Sequence, residues 1–138
     1  MKIMVSACLL GENCKYNGGN NRNEKVLEFI KEHEVIAVCP EVMGGLPTPR
    51  VPAEIVNGVV TNREGKSVDA EFRRGAKIAF DLAIENEVDL VILQSRSPSC
   101  GPKQIYDGTF SKTLIEGEGV FARMLLEKGI SMVDVEDL

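Results

Sequence analysis

Four mostly apolar runs are spread along the chain, and they lie at residues 2–7, 35–39, 88–94 and 130–135. Runs that do not alternate with polar residues predict strands that are buried on both faces of a sheet. Strands of this kind are typical of a parallel sheet covered by helices on both sides.

Three segments with a helical spacing of apolar residues separate these runs, at residues 24–34, 69–87 and 117–129. The first follows Asn23, a residue type that caps helices, and the second begins at Asp69, which we expect to act in the same way. The third ends at Gly129, the residue type that most often closes a helix.

The remaining segments differ in their turn signals. Residues 11–23 are polar and rich in glycine and asparagine, which predicts a loop. Residues 40–52 hold four of the six prolines and are therefore predicted to contain no regular structure. Residues 54–68 alternate weakly around Asn57-Gly58, a dipeptide that favours the turn of a β-hairpin.

The order of these elements predicts a single domain over residues 1–138. The fold class is α/β, as a three-layer Rossmann-like or flavodoxin-like domain. Its mostly parallel sheet has about four strands, and a small β-hairpin is inserted. For the four parallel strands we expect right-handed crossovers and the spatial order 2-1-3-4.

Composition and charge limit the classes of partner. With 43% hydrophobic and 27% charged residues, the chain resembles an ordinary globular protein. A net charge of −5 argues against a nucleic acid polymer as partner, whereas a small base or nucleotide needs only a pocket. No apolar stretch approaches the roughly 18 residues of a membrane span, and no signal peptide is separable from the first strand. We therefore expect a cytoplasmic protein with no membrane partner.

Cysteine is the residue type that most clearly indicates chemistry, since the chain has four cysteines and a single histidine. Cytoplasmic cysteines are more often thiols, catalytic groups or metal ligands than disulfides. Cys8, Cys39 and Cys100 each follow a predicted strand. Parallel strands end at one edge of the sheet, where α/β folds bind ligands, and neighbours lie only about 4.8 Å apart. We therefore expect these three thiols to converge.

Several kinds of site are compatible with converging thiols. Zinc could use Cys14, a carboxylate or water as a fourth ligand, although no short paired cysteine spacing is present. An iron–sulfur cluster held by three cysteines would leave one iron open to a substrate. Cys100 could act as a nucleophile without a metal, and any single cysteine could simply be a buried apolar residue. Cys14 lies in a polar loop, and we interpret it as an incidental thiol.

Polar side chains surround the expected site. Glu41 follows Cys39 by two residues, and a carboxylate in this place could accept or donate a proton. Ser95, Ser97 and Ser99 precede Cys100, and their hydroxyls could bind a ligand or relay a proton.

Other residues are candidates for contacting a substrate. Gly44 and Gly45 would allow the backbone to approach a ligand closely. Arg50 is framed by prolines and suits a carbonyl or an anion, and Lys15 could act similarly. Tyr106 begins a segment that we interpret as a turn or as part of the pocket wall.

Four motifs carry a family resemblance: SACLLG (6–11), VCPEVMGGLPTPR (38–50), SRSPSCG (95–101) and YDGTF (106–110). In this order they resemble the DUF523 family, whose characterised branch is the TudS-like thiouracil desulfidases. The resemblance extends from Ser6 almost to the end of the chain. It implies a Rossmann-type domain that holds a [4Fe-4S] cluster by three cysteines, matching Cys8, Cys39 and Cys100.

The resemblance also implies a reaction. The thiocarbonyl sulfur of a thiolated pyrimidine would bind the open iron, water would replace it at carbon, and sulfide would remain, with no net redox change. Glu41 would match the family's acid/base carboxylate, and Ser97 its helper serine. Two departures concern the pocket: Lys15 and Asn17 stand where we expect Arg and Asp, and Gln94 stands where relatives have Lys.

The leading hypothesis is therefore a desulfidase that acts on 2-thiouracil or a related thiolated base or nucleoside. One alternative is a non-catalytic module that stores, handles or senses a cluster or sulfide. The other is a zinc-dependent hydrolase that uses the same cysteines.

Overall fold

The computed structural model describes residues 1–138 and contains eight strands and four α-helices. The strands are β1 (Lys2–Ser6), β2 (Glu34–Val38), β3 (Ala53–Val56), β4 (Val59–Asn62), β5 (Leu90–Leu93), β6 (Gln104–Tyr106), β7 (Leu114–Glu116) and β8 (Met132–Asp134). The helices are α1 (Glu24–Phe29), α2 (Pro40–Met43), α3 (Asp69–Glu85) and α4 (Val120–Lys128). Two single turns of 3-10 helix, Ala7–Leu10 and Val135–Asp137, complete the regular structure.

The central sheet has four parallel strands in the order β2-β1-β5-β8. Counted among the parallel strands alone, this is the predicted order 2-1-3-4. β1 lies in the middle, so that Ile3 pairs with Val35 of β2 and with Leu90 of β5. The predicted α/β class with a parallel sheet is confirmed.

Helices cover both faces of the sheet, because successive residues of a strand point to opposite sides. Ile3 of β1 belongs to the hydrophobic cluster that includes Val26 of α1. Its neighbour Met4 belongs to the larger cluster on the other face, with Phe72 of α3 and Phe121 of α4. This arrangement gives the three predicted layers. None of the helices has the length and apolar character needed to cross a membrane.

The first helix is shorter than predicted. Asn23 caps α1 as expected, since its side chain accepts a hydrogen bond from the Val26 amide at 3.1 Å. The helix ends at Phe29 instead of residue 34. It stops early because the chain turns to begin β2, where the Glu34 amide donates to the Met1 carbonyl at 3.1 Å.

The boundaries of α3 and α4 also shift slightly. Val68, not Asp69, is the N-cap of α3, and the Asp69 carboxylate instead accepts a hydrogen bond from the Val60 amide at 2.9 Å. α4 begins at Val120 because the glycine before it has extended backbone angles. Gly129 closes α4 in the left-handed conformation, as predicted.

The proline-rich segment is not entirely irregular, and that prediction is wrong. Pro40–Met43 form α2, a single helical turn. Pro40 is compatible with this position because the first residue of a helix needs no amide hydrogen, and the fixed φ of proline suits it. Glu41 therefore lies on a helix and not in a loop.

α2 packs closely against α3 because neither Gly44 nor Gly75 has a side chain at the contact. A Cβ atom added to Gly44 would lie 1.9 Å from the Glu71 carbonyl oxygen, and one added to Gly75 would lie 1.6 Å from the Pro40 carbonyl oxygen. The Arg74 guanidinium adds two hydrogen bonds to the Gly44 carbonyl, at 3.1 and 2.7 Å. Contacts with α3, the longest helix, thus determine the position of α2.

Two β-hairpins lie outside the central sheet. β3 and β4 form the predicted hairpin, and Asn57 and Gly58 have φ values of 48° and 81°, as its two-residue turn requires. β6 and β7 form a second antiparallel hairpin that the sequence pattern did not predict. Its strands have three residues each, which is too short for a visible alternation.

Candidate functional site

The carboxyl ends of β1, β2 and β5 lead into a cavity of about 350 Å³. All four cysteines line it, namely Cys8, Cys14, Cys39 and Cys100. All four are free thiols. The structure thus brings the three strand-end cysteines to one cavity, and it adds Cys14 to them.

Each cysteine is held in place by its local structure. Cys8 lies in the 3-10 turn after β1, and the Asn21 side-chain amide donates to its sulfur at 3.6 Å. Cys39 is the N-cap of α2, and its sulfur lies 3.8 Å from the Cys14 carbonyl oxygen. Cys100, in the loop after β5, is buried.

The four thiols differ in acidity. Burial raises the pKa of Cys8 and that of Cys100. A hydrogen bond between the Cys14 and Cys39 side chains raises the pKa of Cys14 and lowers that of Cys39, and the Val42 amide lowers the pKa of Cys39 further. Cys39 is therefore the thiol that ionises most readily. Thiolates at the other positions need a nearby cation to compensate their burial.

Glu41 and Arg50 form a buried ion pair beside these cysteines. Arg50 Nε donates to Glu41 Oε1 at 3.0 Å, and only 7% of the Arg50 side chain and 14% of the Glu41 side chain are exposed. Arg50 also donates to the carbonyl oxygens of Cys14 at 2.9 Å and Pro47 at 3.2 Å, and to Thr48 Oγ1 at 3.1 Å. Arg50 lines the cavity, and its guanidinium is occupied by protein acceptors and holds Glu41.

A chain of hydrogen bonds connects the second carboxylate oxygen of Glu41 to two serines. Ser99 Oγ donates to Glu41 Oε2 at 2.8 Å, and Ser97 Oγ lies 2.9 Å from Ser99 Oγ. Ser97 Oγ accepts hydrogen bonds from the backbone amides of Ser99 at 3.1 Å and Cys100 at 3.0 Å. Because these amides occupy the acceptor side of Ser97, its own proton is left to donate either to Ser99 Oγ or to Glu41 Oε2, which lies 3.5 Å away.

The other residues that were predicted to contact a substrate differ in whether they line the cavity. Ser95 and Lys15 line the cavity, and Lys15 Nζ lies 5.8 Å from the centre of the Tyr16 ring. Gly44 and Gly45 are not among the residues that line the cavity. Gly44 instead permits the close packing of α2 on α3, and Gly45 has a φ of 98°, which favours glycine for conformational reasons.

Part of the cavity wall comes from the two hairpins. Glu54 and Arg63 come from the first hairpin, and Tyr106, Phe110 and Lys112 come from the second. Of these, only Tyr106 was a predicted wall residue. The others have no local signal in the sequence, because their proximity to the cysteines results from how the hairpins pack on the domain.

The chemistry of the donor set suits an iron–sulfur cluster. No group of three or more His, Cys, Asp or Glu side chains is arranged to hold a single metal ion. In a cluster, however, each cysteine binds a different iron, so the ligands surround the cluster and do not meet at a point. Cys8, Cys39 and Cys100 are free thiols on three neighbouring strand ends around one cavity, and this is the donor type that holds such clusters.

Comparisons with known proteins agree with this geometry. Residues 3–137 match the family model of 2-thiouracil desulfurase. The chain is 37% identical over 146 residues to the uncharacterized protein YbbK of Bacillus subtilis strain 168, and the match covers 99% of this chain and 97% of that protein. A solved structure of TudS, described as a [4Fe-4S]-dependent thiouracil desulfidase, matches with a TM-score of 0.91 and 39% identity over 99% of this chain and 92% of the other. By sequence and by fold, this chain belongs to the 2-thiouracil desulfurase family.

Proposed function

We propose that this protein is an iron–sulfur-dependent, non-redox desulfidase that removes the thiocarbonyl sulfur of 2-thiouracil or a related thiolated pyrimidine base or nucleoside. One observation carries the proposal. The three thiols of Cys8, Cys39 and Cys100 line the same cavity as the hydrogen-bonded Glu41 and Ser99. A non-catalytic cluster carrier would have no use for a carboxylate fixed beside its thiols.

Cys8, Cys39 and Cys100 would hold a [4Fe-4S] cluster, and the positive charge of iron would offset the burial that raises the pKa of Cys8 and of Cys100. When bound, such a cluster would supply a soft Lewis acid for the substrate sulfur. The overall reaction is hydrolytic: the C=S bond and water become a C=O bond and hydrogen sulfide. It needs no oxidant or reductant.

Glu41 would handle the protons of the attacking water. Arg50 holds Glu41 Oε1, so Oε2 is the oxygen that exchanges partners. Ser99 Oγ donates to Oε2, and a water or a substrate group can take the place of Ser99 beside the carboxylate. The ion pair thus orients the carboxylate while leaving one oxygen for chemistry.

Ser97 would assist Glu41 through Ser99. The hydrogen bonds from two backbone amides position the Ser97 hydroxyl, whose oxygen lies 2.9 Å from Ser99 Oγ and 3.5 Å from Glu41 Oε2. A proton can move along this chain between the carboxylate and the leaving sulfur or the pyrimidine ring. Ser99 is 1% exposed, so we assign it to the relay and Ser97 to the end nearer the ligand.

The cavity suits a small ligand. Its volume of about 350 Å³ lies near the lower end of the range for small-molecule pockets, and because the cluster would fill part of it, the remaining space suits a small ligand such as a pyrimidine base. Lys15 and Ser95 line it and remain proposed substrate contacts. Four free thiols at one cavity are compatible with a reducing compartment, so we place the enzyme in the cytoplasm.

The test is anaerobic reconstitution of the protein, followed by measurement of iron, acid-labile sulfide and turnover. We expect about four irons and about four sulfides per chain, and conversion of 2-thiouracil to uracil with release of sulfide. Alanine at Cys8, Cys39 or Cys100 should abolish iron binding, and full iron retention in Cys100→Ala would contradict the ligand assignment.

Glu41→Gln separates an enzyme from a cluster carrier. The variant keeps the shape of the side chain but cannot accept a proton, so iron content should stay at the wild-type level while turnover falls by about 100-fold or more. Wild-type turnover in Glu41→Gln would remove the proposed acid/base role. One zinc per chain without labile sulfide would favour the hydrolase.

A further inference from the structure

Glu54 has a nearly buried carboxylate without a cationic partner. It lies on β3, its residue is 9% exposed, and none of the ion pairs in the structure includes it. Its Oε1 instead accepts hydrogen bonds from the backbone amides of Gly108 at 3.0 Å and Phe110 at 3.1 Å. Because an unpaired buried carboxylate is costly, these two amides are the groups that make its burial tolerable.

The amides belong to the loop between β6 and β7, residues 107–113, which comes unusually close to β3. Gly108 has a φ of 92°, and a Cβ atom there would lie 2.6 Å from the Ile55 carbonyl oxygen. Phe110 and Lys112 also have positive φ values, of 57° and 62°. Non-glycine residues rarely adopt this conformation, so outside contacts must hold the loop in it.

Both sides of this contact line the cavity. Glu54 does so from the first hairpin, and Phe110 and Lys112 do so from the loop. None of them makes a hydrogen bond to a cysteine, to Glu41 or to the serines. Release of the loop would therefore change the cavity wall while leaving the thiols and the proton relay in place.

We propose that Glu54 is a positioning residue: its carboxylate fastens residues 107–113 against β3 and so holds Phe110 and Lys112 as the wall against which the substrate binds. The part of this inference that concerns the substrate rests on the proposed desulfidase function. Glu54 acts through the loop, so it affects substrate affinity more than the rate of the chemical step.

The test uses the reconstituted protein and the variants Glu54→Ala and Glu54→Gln. For Glu54→Ala we expect faster amide hydrogen exchange at residues 107–113, a rise in the KM for 2-thiouracil of about tenfold or more, and a kcat within about threefold of wild type. Iron per chain should not change. Glu54→Gln should lie in between, because its amide oxygen still accepts hydrogen bonds from the same two amides.

Two further variants make the test specific. Glu64→Ala is the matched control, since Glu64 is exposed in the turn just after β4 and its side chain makes no hydrogen bond, so it should behave as wild type. Gly108→Ala pushes the loop away from Ile55 without altering the carboxylate, and it should raise KM as Glu54→Ala does. If Glu54→Ala does not fold, the same measurements of hydrogen exchange and KM on Glu54→Gln and Gly108→Ala test the inference.

Three results would overturn the inference. Unchanged exchange at residues 107–113 in Glu54→Ala would show that the carboxylate does not hold the loop. Faster exchange with an unchanged KM would show that the loop is not a substrate wall. A fall in kcat and iron content with KM unchanged would indicate a merely structural role. A wild-type protein that binds iron but does not turn over 2-thiouracil would instead refute the proposed function, and exchange would still decide whether Glu54 holds the loop.

Discussion

Replacing Arg50 with methionine tests whether the buried ion pair organises the site. Methionine keeps most of the apolar stem of arginine but removes the charge that faces Glu41. The two side chains are 7% and 14% exposed, and Arg50 makes three further hydrogen bonds. Removal of one partner from a buried pair leaves the other charge uncompensated, which costs about 3–5 kcal/mol.

This cost translates into a large thermal shift. The chain has 138 residues. At about 2.1 cal/mol/K per residue, its entropy of unfolding is about 0.29 kcal/mol/K, so a loss of about 3–5 kcal/mol lowers Tm by about 10–17 °C. The control is Arg22→Met, which removes an ion pair to Glu24 with side chains 58% and 80% exposed. That pair is worth about 0.5 kcal/mol, so Tm should fall by less than about 2 °C.

Circular dichroism of the cluster-free proteins at pH 7 measures both transitions without a contribution from cluster loss. In the reconstituted protein, Arg50→Met should also lower kcat, because Glu41 loses the contact that orients it. Equal Tm shifts in Arg50→Met and Arg22→Met would refute the reasoning, since they would show that water screens the Glu41–Arg50 pair in solution.

Gly75→Ala places a Cβ atom 1.6 Å from the Pro40 carbonyl oxygen, so it should lower Tm. Because the clash displaces α2 and with it Glu41, the substitution should also lower turnover. Wild-type turnover in Gly75→Ala would contradict this coupling between the helix contact and the site. Burial raises the pKa of Asp134. The folded state therefore binds this proton more tightly than the unfolded state, and wild-type stability falls as pH rises from about 4 through the raised value. Urea unfolding at several pH values should show a smaller decrease in the free energy of unfolding for Asp134→Asn than for the wild type. The same pH dependence in both proteins would count against this prediction. Cys14→Ala should keep wild-type iron after reconstitution, since three strand-end thiols remain; loss of iron would make Cys14 a ligand.

Much of the architecture could be predicted from local patterns. Continuous apolar runs favour strands that are buried on both faces, which holds for most of β1 and β5, and helices between such runs favour parallel strands. The prediction of burial on both faces is wrong for β2, because β2 lies at the edge of the sheet and leaves Val35 37% exposed. The strand order and the hairpin at Asn57-Gly58 followed from these signals and are confirmed. The meeting of Cys8, Cys39 and Cys100 was predictable for the same reason, because parallel strands bring all their carboxyl ends to one edge.

Short elements escaped prediction because their local signals conflict. The turn of helix at Pro40–Met43 lies in a stretch whose prolines and glycines indicate irregular structure, and its packing on α3 stabilises it. β6 and β7 are too short to show a period, and each is stabilised by the other and by neighbouring chain. In both cases a tertiary contact outweighs a weak local preference.

The sequence by itself determined which residue types reach the edge of the sheet, since local signals mark where each strand ends and the helices between strands favour a parallel sheet. Only the tertiary structure decided which of them are partners. Glu41 and Ser99 are 58 residues apart in the chain, and Glu54 and Gly108 are 54 apart, yet each pair shares a hydrogen bond of 3.0 Å or less. Contacts of this kind depend on the packing of α2 on α3 and of one hairpin on the other, and no spacing along the chain encodes such distances.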